Sequence, residues 1–101
     1  MDGAMLPVAR FLLTRSMLDG GTIPLRSEVA RALSGEPRVV HLRIATPDSK
    51  PVPAIAHWAQ GVIHCPKLKS LIGKPEFFYS DEAWFILCTV QGANDLFVIV
   101  P

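Results

Sequence analysis

The sequence predicts a single α+β domain over residues 1–101, in which two N-terminal helices pack on a mainly antiparallel sheet of five to six strands. A chain of 101 residues is too short to divide into two halves that each bury a core. The first third carries apolar residues at helical spacing, and residues 38–100 alternate short apolar runs with turn residues. Because the last runs are apolar on both sides, the predicted sheet could also curl into a partial barrel.

The first predicted helix covers about residues 6–18. Pro7 suits the first turn of a helix, and Gly20 with Gly21 supplies a stop. The segment is apolar on most sides, with only a narrow polar stripe around Arg10. We therefore expect the sheet to bury one side of this helix and a partner to bury another.

The second predicted helix covers about residues 25–34. Leu25, Val29 and Leu33 fall at positions i, i+4 and i+8, which places them on one helix face. Gly35 follows directly, where a C-terminal cap glycine belongs. This helix is amphipathic, so we expect it to lie on the sheet with one face in solvent.

A three-stranded meander is predicted over residues 38–64. Its first turn lies in the segment PDSKP, and Gln60-Gly61 has the length and the glycine of a two-residue hairpin turn. Pairing Thr46 with Val52 across the first turn and Ala59 with Val62 across the second would align three histidines in one row on one face of the meander. The first two strands of the meander are predicted at 38–46 and 52–59. The aligned histidines are His41, His57 and His64.

The C-terminal third is predicted to add further strands after a short helical turn at 67–72. These strands are predicted at 76–79, 83–90 and 96–100. The runs WFILC and LFVIV are apolar without alternation, which is typical of strands that are covered on both faces. Two short helices can cover one face, so the other face is predicted to meet a second chain.

Self-association is therefore the preferred function: a small, non-enzymatic, cytoplasmic protein that acts as a homo-oligomer or through a protein partner, without a cofactor. The first helix and the last strands would form the contact. The predicted interface residues are Phe11, Leu12, Leu13, Leu96, Val98 and Val100.

The second hypothesis is a metal- or small-ligand-binding protein, including a hydrolase. Three imidazoles with an open fourth position form a catalytic zinc arrangement, so zinc is the alternative cofactor, with His41, His57 and His64 as its ligands. Arg43 on the same strand face and Trp58 on the core side are the predicted ligand-binding residues. The competing interpretation is a half-exposed sheet face whose imidazoles contact solvent or each other.

DNA binding is the third hypothesis. All ten basic residues lie within residues 1–74, and Arg26 and Arg31 would face outward from the second helix. However, no more than two basic residues are adjacent, so the chain lacks a polybasic arm. Complementary charge within the fold or between subunits explains the distribution more simply.

The motifs of several other classes are missing from the sequence. It has no Gly-rich phosphate loop, no C-x-x-C pair and no G-x-S-x-G elbow. No secretory signal and no membrane-spanning run is evident, so we expect a cytoplasmic protein without membrane contact. Cys65 and Cys88 are predicted to be buried and unpaired rather than joined in a disulfide framework.

Overall fold

A computed structural model describes residues 4–33, 39–72 and 82–100, which form one curled, seven-stranded mixed sheet with three short helices. The strands are β1 (Met5–Thr14), β2 (Thr22–Pro24), β3 (Val39–Ala45), β4 (Val52–His57), β5 (Val62–His64), β6 (Glu82–Val90) and β7 (Ala93–Val100). The helices are α1 (Arg15–Gly20), α2 (Ser27–Ala32) and α3 (Leu68–Ile72).

The sheet has the strand order β1-β6-β7-β3-β4-β5-β2. Its neighbours are antiparallel except β3 and β7, which are parallel. The predicted meander is present as β3-β4-β5. The predicted strand at 76–79 and the predicted cap Gly35 lie outside the described residues.

The predicted fold class, with two N-terminal helices on a five- to six-stranded antiparallel sheet, is wrong. The segment that was predicted as the first helix forms β1 instead, and β1 pairs with β6 from Met5 to Thr14. Its buried residues alternate as Ala9, Phe11 and Leu13, which is the period of a strand. The residues between them on the opposite face of the strand are also apolar in part. They hide the alternation in the sequence, so the segment resembles an apolar helix.

Only the last part of the predicted first helix is helical. Thr14 caps α1, because its side-chain oxygen accepts a hydrogen bond from the Met17 backbone N–H at 3.3 Å. Gly21 ends α1 in the left-handed conformation, with φ of 64°. The polypeptide then continues directly into β2, a short edge strand that the sequence did not indicate.

The curl of the sheet brings its two edges toward each other. β1 and β2 are the terminal strands of the sheet, yet α2, which begins three residues after β2, contacts β1. The guanidinium of Arg26, just before α2, donates to the backbone oxygen of Arg10 at 2.9 Å. This bond occupies a carbonyl of β1, an edge strand whose backbone would otherwise be open to pairing with another chain.

The core lies on the inner, helix-bearing face of the sheet. Residues of all seven strands meet there with apolar residues from all three helices. The strands contribute Phe11, Leu13, Ile23, Leu42, Ile44, Ala54, Ala56, Ile63, Phe85, Leu87, Phe97 and Ile99. The helices contribute Leu18, Val29, Leu68 and Ile72. The molecule measures 37 × 36 × 20 Å, and its thin dimension is close to that of one sheet with one layer of covering elements.

Candidate functional site

The opposite, outer face of the sheet carries the candidate functional residues, and it has two chemically different ends. At the β1-β6-β7 end its residues are mostly apolar, with Arg10 of β1 opposite Ile86 of β6, and at the β3-β4-β5 end they include three histidines and an arginine. Positions on this face alternate along each strand with the core positions.

The first end is an apolar patch, which we define by six residues. These are Leu12, Trp84, Ile86, Leu96, Val98 and Val100. Trp84 pairs with Leu12 across β1 and β6, and Ile86 pairs with Val100 across β6 and β7. Trp84 is 54% exposed and Ile86 is 37% exposed, so two large apolar side chains face solvent next to each other on one strand.

Arg10 borders the apolar patch. Its guanidinium carbon lies 4.6 Å from the centre of a Trp84 ring, which is a cation–π contact. The contact restricts the orientation of the indole, so Trp84 is presented as a positioned aromatic surface. Positioned tryptophan and arginine side chains are common among the residues that dominate binding at protein interfaces.

The structure divides the predicted interface residues between the two faces of the sheet. Phe11 and Leu13, with exposures of 3% and 0%, are buried in the core. The other four lie on the outer face, in the apolar patch: Leu12, Leu96 and Val100 are half-buried there, and Val98 is buried, with an exposure of 7%. The sequence prediction did not single out Trp84 and Ile86. The signal that could have found them is the position of both residues opposite the buried Phe85 and Leu87 in the alternation of β6.

The second end contains the three histidines, in a register that differs from the predicted one by two residues in each hairpin. His41 and His64 both lie opposite Ile55, whereas His57 lies opposite Val39 and Val62. A shift of two residues keeps every side chain on its face, so the histidines do share the outer face. However, they do not form the predicted row, because Ile55 separates His41 from His64.

Both register differences arise in the turns. Between β3 and β4, the Ser49 hydroxyl accepts the Thr46 N–H at 2.9 Å, so Thr46 belongs to the turn and pairing begins at Ile44 and Val52. Between β4 and β5, residues 58–61 form a four-residue turn instead of a two-residue one. Gly61 completes it with a positive φ of 66°.

His57 and His64 are in direct contact. Their ring centres are 4.9 Å apart, with the ring planes at 85°. Gln60 in the intervening turn places its Oε1 2.7 Å from Nε2 of His64. Within residues 4–33, 39–72 and 82–100, no three or more histidine, cysteine or acidic side chains form a group that could hold a metal ion.

A shallow groove of about 450 Å³ lies beside this histidine pair. It is mostly apolar, with His41 and His64 on either side of Ile55. Its lining also includes Leu42, Arg43, Pro53, Ala54, Pro66 and Asp95. The predicted ligand-binding residue Arg43 therefore lines this groove, while Trp58 lies in the β4–β5 turn, half-buried against the core.

Arg43 is held by a carboxylate. Its Nε and Nη2 atoms donate to Asp95 Oδ2 and Oδ1 at 3.0 and 3.1 Å, which is a bidentate ion pair. The hydrogen bond with Asp95 raises the pKa of Arg43, and the same bond holds the pKa of Asp95 below its usual range. The pairing neutralises the positive charge of the groove, so the groove offers an anion little net attraction.

The two cysteines of the chain both lie among the described residues. Cys65 and Cys88 are buried and free, and burial raises the pKa of both thiols, which disfavours the nucleophilic thiolate. Two of the basic residues near the second helix are engaged with the backbone: Arg26 with Arg10, and Arg31 Nε with the Ser27 carbonyl at 3.3 Å.

A comparison of the chain with known protein families, curated proteins and solved structures found no match. Among the described residues, no helix has the length and hydrophobicity that crossing a membrane requires.

Proposed function

We propose that the protein acts by self-association, with two copies packed outer face to outer face through the apolar patch. The observation that carries this proposal is the exposure of Trp84 and Ile86, 54% and 37%, on a strand face where Leu12 lies opposite Trp84 and Val100 lies opposite Ile86. Contiguous apolar patches on a protein surface mark interaction sites. Single exposed apolar residues are common on protein surfaces and do not indicate an interface. Trp84 and Ile86, however, are adjacent on one face.

A second copy is the occupant that fits this surface best. A patch made of apolar side chains is complementary to itself, and two-fold symmetry brings the same patch of two chains together. Two sheets can pack face to face at about 10 Å, as in β-sandwiches. The paired copy would then cover the apolar end of the outer face, as the helices cover the inner face.

The size of the patch fits a reversible dimer. Three strands at about 4.8 Å spacing and eight residues at about 3.4 Å rise give a projected area of about 390 Å². Side-chain relief makes the accessible area larger than this projection, but a standard interface buries about 800 Å² per partner. The apolar patch therefore lies at the lower end of the range, where association is concentration-dependent.

The proposal includes a cytoplasmic location and no enzymatic activity of its own. Cys65 and Cys88 are both free, which suits a compartment that keeps thiols reduced. Burial raises the pKa of both thiols, which disfavours a cysteine nucleophile. The following experiment distinguishes self-association from the binding of a different protein to the same patch.

Sedimentation velocity of the purified chain over a range of concentrations tests the proposal. We expect the mass to rise from 11.1 kDa toward twice that value with concentration. Trp84→Glu should keep the chain monomeric, because the carboxylate would have to be desolvated in the interface. A monomer at every concentration would overturn self-association and leave the patch to a different protein.

Leu6 supplies a matched control for that variant. It is 54% exposed, like Trp84, but it pairs with Thr89 and so belongs to the inner-face side of the sheet edge. Leu6→Glu should therefore dimerise like the wild type. If Leu6→Glu and Trp84→Glu weakened the dimer equally, the apolar patch would not be the contact surface. Circular dichroism establishes that both variants are folded.

A further inference from the structure

We infer that His57 and His64 form a two-histidine surface site for a divalent transition-metal ion such as Zn²⁺, Cu²⁺ or Ni²⁺. This site is separate from the proposed dimer contact, because it lies at the other end of the outer face. Imidazole is a good ligand for these three ions. The site differs from the three-histidine site predicted from the sequence, since His41 is excluded from it by Ile55.

The distance between the two rings matches the distance that a shared ion requires. With metal–nitrogen bonds of about 2.0–2.1 Å, and about 1.1 Å from nitrogen to ring centre, each ring centre lies about 3.2 Å from the ion. At a tetrahedral angle of about 109°, two such centres are about 5 Å apart. The rings of His57 and His64 are separated by 4.9 Å.

The ring orientation is compatible with binding. The two planes are nearly perpendicular, at 85°, so the rings do not clash when they approach a common point. The last side-chain torsion of histidine is broad, and rotation about it turns the nitrogens while the ring stays in place. Binding therefore requires rotation of the His57 ring rather than a shift of β4 or β5, and it leaves the bond between His64 and Gln60 in place.

Gln60 supplies a second, independent observation. Its Oε1 is an acceptor, so at 2.7 Å the Nε2 atom of His64 must be the donor. That bond selects the tautomer in which Nδ1 of His64 carries the free lone pair. Metal-binding histidines almost always donate their other ring N–H to an oxygen in this way, which fixes the tautomer and raises the basicity of the ligating nitrogen.

The electrostatic surroundings do not oppose a cation. Arg43, the basic residue that lines the adjacent groove, is paired with Asp95 through two hydrogen bonds. The Asp95 carboxylate therefore neutralises the guanidinium charge and reduces its repulsion of a cation at the histidines. Two protein ligands leave further coordination positions for water, as in sites that remain open to solvent.

Isothermal titration calorimetry of the full chain with zinc chloride tests the site. We expect one zinc ion per chain. His57→Ala and His64→Ala should each lower the affinity by at least about tenfold, and Gln60→Ala, which removes the tautomer-fixing oxygen, should lower it by about tenfold. His41→Ala is the matched control, because it removes an imidazole from the same face outside the pair, and its affinity should equal that of the wild type.

Several results would overturn the site. These are the absence of zinc binding, an affinity that falls in His41→Ala as much as in His64→Ala, or half an ion per chain, which would place the metal between two molecules. The histidine ring NMR signals give a second readout: zinc should shift those of His57 and His64 and leave those of His41 in place. The monomeric Trp84→Glu variant should retain zinc binding, so failure of the dimer and failure of the metal site are distinguishable.

Discussion

Gly21→Ala is the substitution that tests the described fold most directly. Gly21 joins α1 to β2 with φ of 64°, and its carbonyl accepts the Cys65 N–H at 2.7 Å. A Cβ atom at this position would lie 2.7 Å from the carbonyl oxygen of Cys65 and 3.3 Å from its carbonyl carbon. Both neighbours are backbone atoms, so the clash cannot be relieved by a side-chain rotation.

The expected cost can be separated into two parts with a matched control. Gly61 has nearly the same φ, 66°, but a Cβ atom there would meet nothing within 4 Å. In Gly61→Ala, the left-handed conformation therefore lowers the free energy of unfolding by about 1–2 kcal/mol. Restriction of the unfolded chain restores about 0.4–1 kcal/mol of that loss. Gly21→Ala carries the same contribution plus about 1–3 kcal/mol for the displaced backbone.

Thermal unfolding of the two variants measures the difference. A loss of 1 kcal/mol lowers the Tm of a domain near this size by about 4–8 °C. We therefore expect Gly21→Ala to melt at least about 4 °C below Gly61→Ala, and both to melt below the wild type. Equal melting temperatures would show that the Cys65 backbone does not approach Gly21, and would refute the described junction of α1 and β2 with the end of β5.

Three further predictions concern the core, an ion pair and the thiols. Phe97→Ala should lower the free energy of unfolding in urea by about 3–5 kcal/mol, because the side chain is fully buried. Asp95 has a folded pKa below its ordinary value of 3.8, so the stability it contributes is present above that pH and lost as the pH falls through the folded pKa. The Tm difference between wild type and Asp95→Asn should therefore shrink below about pH 3.8, whereas a constant difference would contradict the pairing with Arg43. Cys65 and Cys88 should react with a thiol reagent at the global unfolding rate or slower, and fast labelling of the folded chain would contradict their burial.

The N-terminal segment shows why the sequence misled about the fold class. Ala9, Phe11 and Leu13 alternate as a strand should, but apolar residues such as Leu12 fill the other face and hide the alternation. A register irregularity between Pro7 and Ala9 further interrupts the period of two. The pairing partner, β6, is some seventy residues away in the chain, so no local pattern could reveal it.

The histidine face shows what a sequence can and cannot predict about a site. Side-chain alternation correctly placed His41, His57 and His64 on one face, because that property survives any register shift of two residues. Contact between particular residues depends on the register, which the turns determine. The Ser49 hydrogen bond and the four-residue turn before Val62 each moved the register by two, so the predicted triad became a pair.

All three described helices pack on the inner face of the sheet, which is why the self-association proposal concerns the outer face. They contain six, six and five residues, which at 1.5 Å per residue makes each about 9 Å long or less, and their buried residues all join the inner core. On a strand whose outer face is in solvent, polar outward residues alternate with apolar core residues, as His41 does on β3 and His57 does on β4. Trp84 and Ile86 on β6 break that rule on the same face. Since one sheet face carries both chemistries, its apolar end and its imidazole end can be altered independently, and the two proposals stand or fall separately.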